Sequence, residues 1–162
     1  MLRWWSGREN SSRRRWDEAR LLSGEARGLH AVAWSHDGQR LATGNADRTV
    51  QVWELSGDSV TLKGHAKAVT AVGWEQAESW EHAAAGTAPR VASASWDGTV
   101  RVWQQEEGLW KCRGLLRASP NNDPVRAVSW RPSRARQTAA NAIGYAYDAA
   151  QLASAGADGT PI

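Results

Sequence analysis

The sequence predicts an all-β fold that is built from a repeated unit, of which the 162 residues hold about two and a half copies. Residues 24–34 and 64–74 align without a gap, and each segment ends in alternating apolar and polar positions, which is typical of a half-buried strand. Residues 39–53 and 89–103 align in the same way and indicate a strand, a tight turn and a second strand. The two blocks follow each other in the same order twice, so the repeat defines the fold.

Residues 1–16 form a basic arm in front of the first unit. The first 20 residues hold six Arg against three acidic side chains, whereas the charges of residues 21–162 cancel, so the net charge of +3 belongs to this end of the chain. The arm is predicted to be a disordered, solvated tail, and the balanced body gives no sign of a nucleic-acid groove. Interleaved Arg and Trp would also suit single-stranded RNA, because bases stack on aromatic rings. The candidate RNA contacts are Arg13, Arg14, Arg15 and Trp16.

The three units are predicted to span residues 28–62, 68–116 and 124–162, and the third holds only the first half of a copy. From the Trp that closes the first strand to the turn Asp the distance is 13, 23 and 28 residues, so units two and three carry long insertions. From the turn Asp to the next Trp the distance is six residues in both complete units, so the hairpin length is constant. The Trp residues that close the first strands, and that are predicted to lie in the core, are Trp34, Trp74 and Trp130.

Unit two opens with Gly-His at 64–65, closes its first strand at Trp74, turns at Asp-Gly 97–98 and closes its third strand at Trp103. This pattern resembles a WD repeat, the four-stranded blade of a β-propeller. The Trp-Asp pair that usually closes the third strand is Trp-Glu in unit one and Trp-Gln in unit two. The resemblance covers roughly residues 17–162 and implies a partial propeller of about two and a half blades.

A closed propeller typically has ~4 to 8 blades, so the resemblance implies that this chain holds only part of a ring. Residues 17–22 precede unit one in the way that the last strand of unit one precedes unit two. They would therefore be an N-terminal strand that is donated to the last blade of a ring. The chain is expected to be a fragment or truncated product, because it ends inside a hairpin with Pro161 where the next strand should begin. Assembly with other chains is the alternative.

The resemblance also implies which polar side chains hold each blade together. In the family a loop His, a strand hydroxyl, the turn Asp and a strand Trp form a hydrogen-bonded chain, and an unpaired buried polar group would cost about 1–3 kcal/mol. The His position is Glu25 in unit one and Asn121 in unit three, so those networks would be weaker or rebuilt. The network residues are His65, Ser93, Asp97 and Trp103 in unit two, Thr43, Asp47 and Trp53 in unit one, and Ser154 and Asp158 in unit three.

A Ser, a His and an Asp within one unit also match the composition of a hydrolase triad. The structural network already explains their spacing, and a set buried under a hairpin would leave no room for a substrate. No catalytic residue is therefore predicted.

Partner contacts are expected at variable positions, because loops on a rigid scaffold carry recognition. Trp96, beside the turn Asp, should be exposed on one rim. The insertions of units two and three resemble low-complexity filler but contain aromatic side chains of the kind found at binding hot spots. These further candidates are Trp80, Tyr145 and Tyr147.

Several functional classes find no support in the sequence. The single Cys112 leaves no disulfide framework and no cysteine-based zinc site, and no apolar run reaches the ~18 residues of a membrane helix. A phosphate loop, a metal cluster and an exposed nucleophile with its base are also missing, so no cofactor, metal, small-molecule substrate or enzyme activity is predicted.

The sequence predicts a non-enzymatic scaffold of the nucleus or cytoplasm that binds other proteins. Residues 28–53 are similar to the first blade of a WD-repeat subunit of a messenger-RNA export complex, which implies a nuclear role in messenger-RNA processing or export. The alternative is a subunit that contacts RNA directly through its basic arm.

Overall fold

The computed structural model describes residues 2–10, 13–22, 28–75, 89–118, 121–131 and 152–156. Every regular element in these ranges is a β-strand, and the strands form two four-stranded and two two-stranded antiparallel sheets. The predicted all-β fold is therefore confirmed. Within these ranges there is no helix that is long and apolar enough to cross a membrane.

The N-terminal segment differs from its prediction. Strands β1 (Leu2–Asn10) and β2 (Arg13–Leu22) pair with each other in a two-stranded sheet. The prediction had a disordered arm at 1–16 and a separate closing strand at 17–22, but β2 runs through both segments. Antiparallel pairing gives the backbone N–H and C=O groups of each strand partners that neither strand has alone, which accounts for the hairpin.

Blade one is the sheet of β3 (Leu29–Trp34), β4 (Arg40–Asn45), β5 (Thr49–Glu54) and β6 (Ser59–Lys63), which lie side by side in chain order. The two central strands, β4 and β5, are buried along most of their length. β3 alternates between half-buried and exposed residues, as the period-two pattern of the sequence predicts.

Blade two repeats this order with β7 (Val69–Trp74), β8 (Arg90–Ser95), β9 (Thr99–Glu106) and β10 (Leu109–Arg117). Corresponding pairs match between the blades: Thr43 lies opposite Gln51 in blade one, and Ser93 lies opposite Arg101 in blade two. The two hairpins are therefore in the same register.

The described part of blade three is the two-stranded sheet of β11 (Val125–Trp130) and β12 (Leu152–Gly156). It corresponds to the first two strands of the other blades. The described residues thus contain two four-stranded blades and two strands of a third.

Apolar side chains fill the two junctions between blades. At Gly44 a Cβ atom would lie 2.7 Å from Cγ1 of Val69, so the absence of a side chain there lets blade two approach blade one closely. Each fully buried Val or Leu contributes roughly 1.5–3 kcal/mol of transfer free energy. The first junction contains Ala42, Val50, Val52, Leu62, Val69, Val72, Trp74, Val91 and Trp103, and the second contains Ala94, Val100, Ala118 and Val125.

The three Trp residues that close the first strands do not share one environment. Trp74 and Trp130 are buried, with 2% and 6% of their surface exposed, as predicted. Trp34 is 40% exposed, so the prediction of a core position for it was wrong. Trp74 and Trp130 each pack on the first strand of the preceding blade, whereas no blade precedes blade one among the described residues.

Candidate functional site

A turn at Asp97 anchors the hairpin between β8 and β9. Oδ1 of Asp97 accepts hydrogen bonds from the backbone N–H and the hydroxyl of Thr99, at 3.0 and 2.6 Å. Oδ2 accepts the backbone N–H of Ala66 at 2.8 Å and lies 2.9 Å from Nδ1 of His65. The carboxylate therefore joins the hairpin turn to the loop between β6 and β7.

A buried chain of hydrogen bonds continues from this carboxylate into the blade. Nε2 of His65 lies 2.8 Å from Oγ of Ser93, and the indole N–H of Trp103 donates to the same oxygen at 2.8 Å. Since an ionised Asp97 can only accept, Nδ1 of His65 donates to it, and Nε2 of the neutral ring accepts the proton of the Ser93 hydroxyl. The structure thus brings together the four residues that the sequence assigned to blade two.

The two ionisable groups of this chain have shifted pKa values. Burial lowers the pKa of His65, against the opposing hydrogen bond and charge of Asp97, so the neutral imidazole is favoured. Burial alone would raise the pKa of Asp97, but hydrogen bonds from Thr99, Ala66 and His65 outweigh it and lower the pKa to about 2. At neutral pH the pair is an uncharged His65 that donates to a carboxylate.

The arrangement has the connectivity of a hydrolase triad without its accessibility. Ser93 has no exposed surface, and its oxygen is already engaged by both His65 and Trp103. A substrate carbonyl cannot reach this hydroxyl, so the chemistry of the set is limited to holding the blade together.

Blade one contains two separate parts of the same network. The indole N–H of Trp53 donates to Oγ1 of Thr43 at 3.1 Å, and both side chains are buried. At the turn, Oδ1 of Asp47 accepts the backbone N–H and the hydroxyl of Thr49 at 3.1 and 2.5 Å. Glu25, at the position that corresponds to His65, lies outside the described residues.

Blade three contains less of the network within the described ranges. Ser154 lies half-buried in β12 opposite Val128, and Asn121 is exposed. Asp158 lies outside the described residues.

Among the candidate partner contacts, the structure describes Trp96. Its backbone N–H donates to the carbonyl oxygen of Ala68 at 3.0 Å, and 46% of the residue is exposed. A large apolar side chain therefore projects from a turn that Asp97 holds in place. Trp80, Tyr145 and Tyr147 lie outside the described residues, and Arg13, Arg14, Arg15 and Trp16 lie in β2.

Sequence reasoning missed the polar contacts between blades. Arg90 forms a two-pronged ion pair with Glu75, with Nε 2.7 Å from Oε2, and its guanidinium lies 5.2 Å from the ring centre of Trp130 in blade three. Arg40 holds the same position in blade one and donates to Oε1 of Gln105 in blade two at 3.3 Å. An Arg at the start of the second strand in both units was the signal that the sequence offered.

No group of three His, Cys, Asp or Glu side chains is placed to hold a metal ion in the part of the chain that the structure describes.

Residues 16–54 and 58–104 match the family model for the WD domain, G-beta repeat. The protein transport protein SEC13 of Chaetomium thermophilum is 40% identical over 86 residues, which are 51% of this chain and 25% of that protein. THO complex subunit 3 of Arabidopsis thaliana is 30% identical over 110 residues, which are 64% of this chain and 31% of that protein.

A solved structure of U3-55K has 27% sequence identity and a TM-score of 0.48, and the match covers 62% of this chain and 27% of that one. The chain spans between 25% and 31% of the length of the SEC13 and THO relatives described above.

Proposed function

The chain belongs to the WD-repeat family, and we propose that it is a non-enzymatic scaffold that binds protein partners within a multisubunit complex. The observation that carries the proposal is the exposed Trp96 on a turn that is fixed by hydrogen bonds to Asp97. A rigidly placed Trp loses little conformational freedom on binding, which is why such side chains are enriched at hot spots.

The finer proposal is a role in messenger-RNA processing or export, in the nucleus. It is supported by the similarity to THO complex subunit 3, which extends over 64% of this chain. The SEC13 relatives, which are named as protein transport proteins, supply the competing assignment. Binding surfaces vary freely on a common fold, so the identity of the proteins that bind this chain decides between the two assignments.

The test compares proteins that are crosslinked to the tagged full chain in cells and then identified by mass spectrometry. Trp96→Ala is expected to remove a defined set of partners. Leu109→Ala is the matched control, because Leu109 is also exposed but begins β10 opposite Glu106, at the end of β9 that is far from the Trp96 turn. Equal partner sets for both variants would contradict the proposal. The partners that Trp96→Ala removes also test the messenger-RNA assignment, which requires them to be nuclear proteins.

A further inference from the structure

A cleft of about 680 Å³ opens on blade one between the turn at Asp47 and the end of β6. The turn contributes Asp47 and Arg48, strand β5 contributes Gln51, and Lys63 lies at the end of β6. The volume is within the range of binding sites for small ligands and short peptide segments.

Gln51 lines the cleft and is left without a full set of hydrogen bonds. It is 6% exposed, and its buried Oε1 has no hydrogen-bond partner within the ranges that the structure describes. A buried acceptor without a donor destabilises the free protein, and a ligand with an N–H group at this point would satisfy it. The corresponding residue of blade two, Arg101, is half-buried, and its Nε likewise has no hydrogen-bond partner among the described residues.

Arg48 occupies a backbone conformation that usually needs glycine. Its φ is 74°, and the corresponding residue of blade two is Gly98 with φ 79°. A Cβ at Gly98 would lie 2.6 Å from Cα of Asn122, so blade two has no room for a side chain there. Blade one places a guanidinium at the cleft despite the backbone strain, which indicates that this side chain is used.

The cleft favours an anion at its mouth and a donor at its base. Arg48 and Lys63 are exposed cations, whereas Oδ1 of the one lining carboxylate, Asp47, is engaged by Thr49. His65, which also lines the cleft, bonds to Asp97 and Ser93 through its two ring nitrogens. A fully ionised phosphate ester would satisfy the cations but offers no donor to Gln51, whereas an acidic peptide offers carboxylates and a backbone N–H together.

We propose that this cleft binds an acidic peptide segment of a partner protein, with its carboxylates at Arg48 and Lys63 and a backbone N–H donated to Gln51. The inference rests on the proposed scaffold function and adds to it a second contact surface and the chemistry of the segment that occupies it.

The experiment titrates the full 162-residue chain with a fluorescein-labelled peptide of alternating Glu and Gly and follows fluorescence anisotropy. The same peptide with Gln in place of Glu, and an oligouridine RNA of similar length, are the comparison ligands. Arg48→Gly and Lys63→Ala are each expected to weaken peptide binding about tenfold, since each removes a charge-assisted hydrogen bond. Lys67→Ala is the matched control, because Lys67 is an exposed cation outside the cleft lining.

Gln51→Leu separates binding from folding. It is expected to weaken peptide binding and to raise the melting temperature, because it removes the unsatisfied acceptor from the free protein. Arg48→Gly should likewise leave the melting temperature unchanged or higher, since glycine relieves the strained backbone. The combination of weaker binding with undiminished stability supports the proposal.

Three results would overturn it. One is equal weakening by Lys67→Ala and Arg48→Gly, which would mean unspecific attraction, and another is RNA binding that is tighter than peptide binding with the same dependence on Arg48. The third is a lower melting temperature for both Arg48→Gly and Glu25→Gln, since Arg48 would then pair with a carboxylate of its own chain.

The failure of this inference can be distinguished from the failure of the scaffold proposal. If the cleft does not bind the peptide while Trp96→Ala still removes partners, the scaffold proposal stands without the cleft. If Trp96→Ala removes no partners, peptide binding that depends on Arg48 is still observed.

Discussion

The indole N–H of Trp74 donates to the backbone carbonyl oxygen of Ala33 at 3.1 Å, so a side chain of blade two is hydrogen-bonded to the first strand of blade one. One blade further on, Trp130 makes the same bond to Gly73 at 3.0 Å. These bonds, together with the apolar contacts around them, join one blade to the next.

Trp74→Phe is expected to lower the free energy of unfolding by about 1–3 kcal/mol, because a partly buried carbonyl loses its donor and part of the buried ring volume is lost. Urea unfolding followed by circular dichroism measures the change. Trp34→Phe is the control at the corresponding position, and since Trp34 is 40% exposed its cost should be smaller. Equal costs would show that the bond to Ala33 contributes nothing.

The stability of blade two is expected to fall as the pH is lowered through two windows. The pKa of His65 is below its ordinary value of 6.5, so the unfolded chain binds a proton first and stability begins to fall below about pH 6.5. The pKa of Asp97 is about 2 against an ordinary 3.8, so its contribution is complete above about pH 4 and is lost between about pH 4 and 2.

The contribution of Asp97 should be about 1–2 kcal/mol after allowance for solvent screening. Unfolding by urea at a series of pH values measures both windows. His65→Gln should remove the upper window and Asp97→Asn the lower one, whereas an unchanged pH profile in either variant would contradict the assignment of that window.

Ser93→Ala should destabilise the protein more than Thr43→Val. Ser93 connects His65 to Trp103, so its loss leaves two buried groups without partners, at about 1–3 kcal/mol each. Among the residues that the structure describes, Thr43 accepts one hydrogen bond, from Trp53, so a loss nearer 1 kcal/mol is expected. Chemical denaturation of both variants decides, and equal costs would mean that the His65 link does not stabilise blade two.

The turn residues Arg48 and Gly98 should respond in opposite directions to substitution. Gly98→Ala is expected to lower the free energy of unfolding by about 2 kcal/mol or more, because φ is 79° and the new Cβ would lie 2.6 Å from Cα of Asn122. Arg48→Gly should be neutral or stabilising by about 0.5–1 kcal/mol. Melting temperatures of the two variants test this, and a destabilised Arg48→Gly protein would contradict it.

Deleting residues 1–16 should leave the affinity for single-stranded RNA weak and unchanged. The net charge of +3 belongs to the first 20 residues, so direct RNA binding would depend on them and on salt. Anisotropy titrations of an oligouridine at two salt concentrations compare the full and shortened chains. A salt-dependent affinity that disappears with the arm would favour the RNA-contacting alternative over the protein scaffold.

Local features of this protein followed from the sequence because they depend on neighbouring residues. The six-residue distance from Asp47 to Trp53 and from Asp97 to Trp103 places turn and strand in the same register in both blades. Alternating apolar positions predicted the strands, since the side-chain period of a strand is two residues. The repeat also identified Ser93 as the residue that lies between His65 and Trp103.

Only the tertiary structure decided which of these equivalent residues are covered. Trp34 and Trp74 occupy the same position in their units, yet one is 40% and the other 2% exposed, because burial depends on what packs against each blade. The unsatisfied Gln51, the strained Arg48 and the pairing of β1 with β2 were equally hidden, since each results from contacts between distant segments. Residue pattern determines the hydrogen-bonding register within a blade, whereas the packing of blades against one another determines which surfaces remain available for binding.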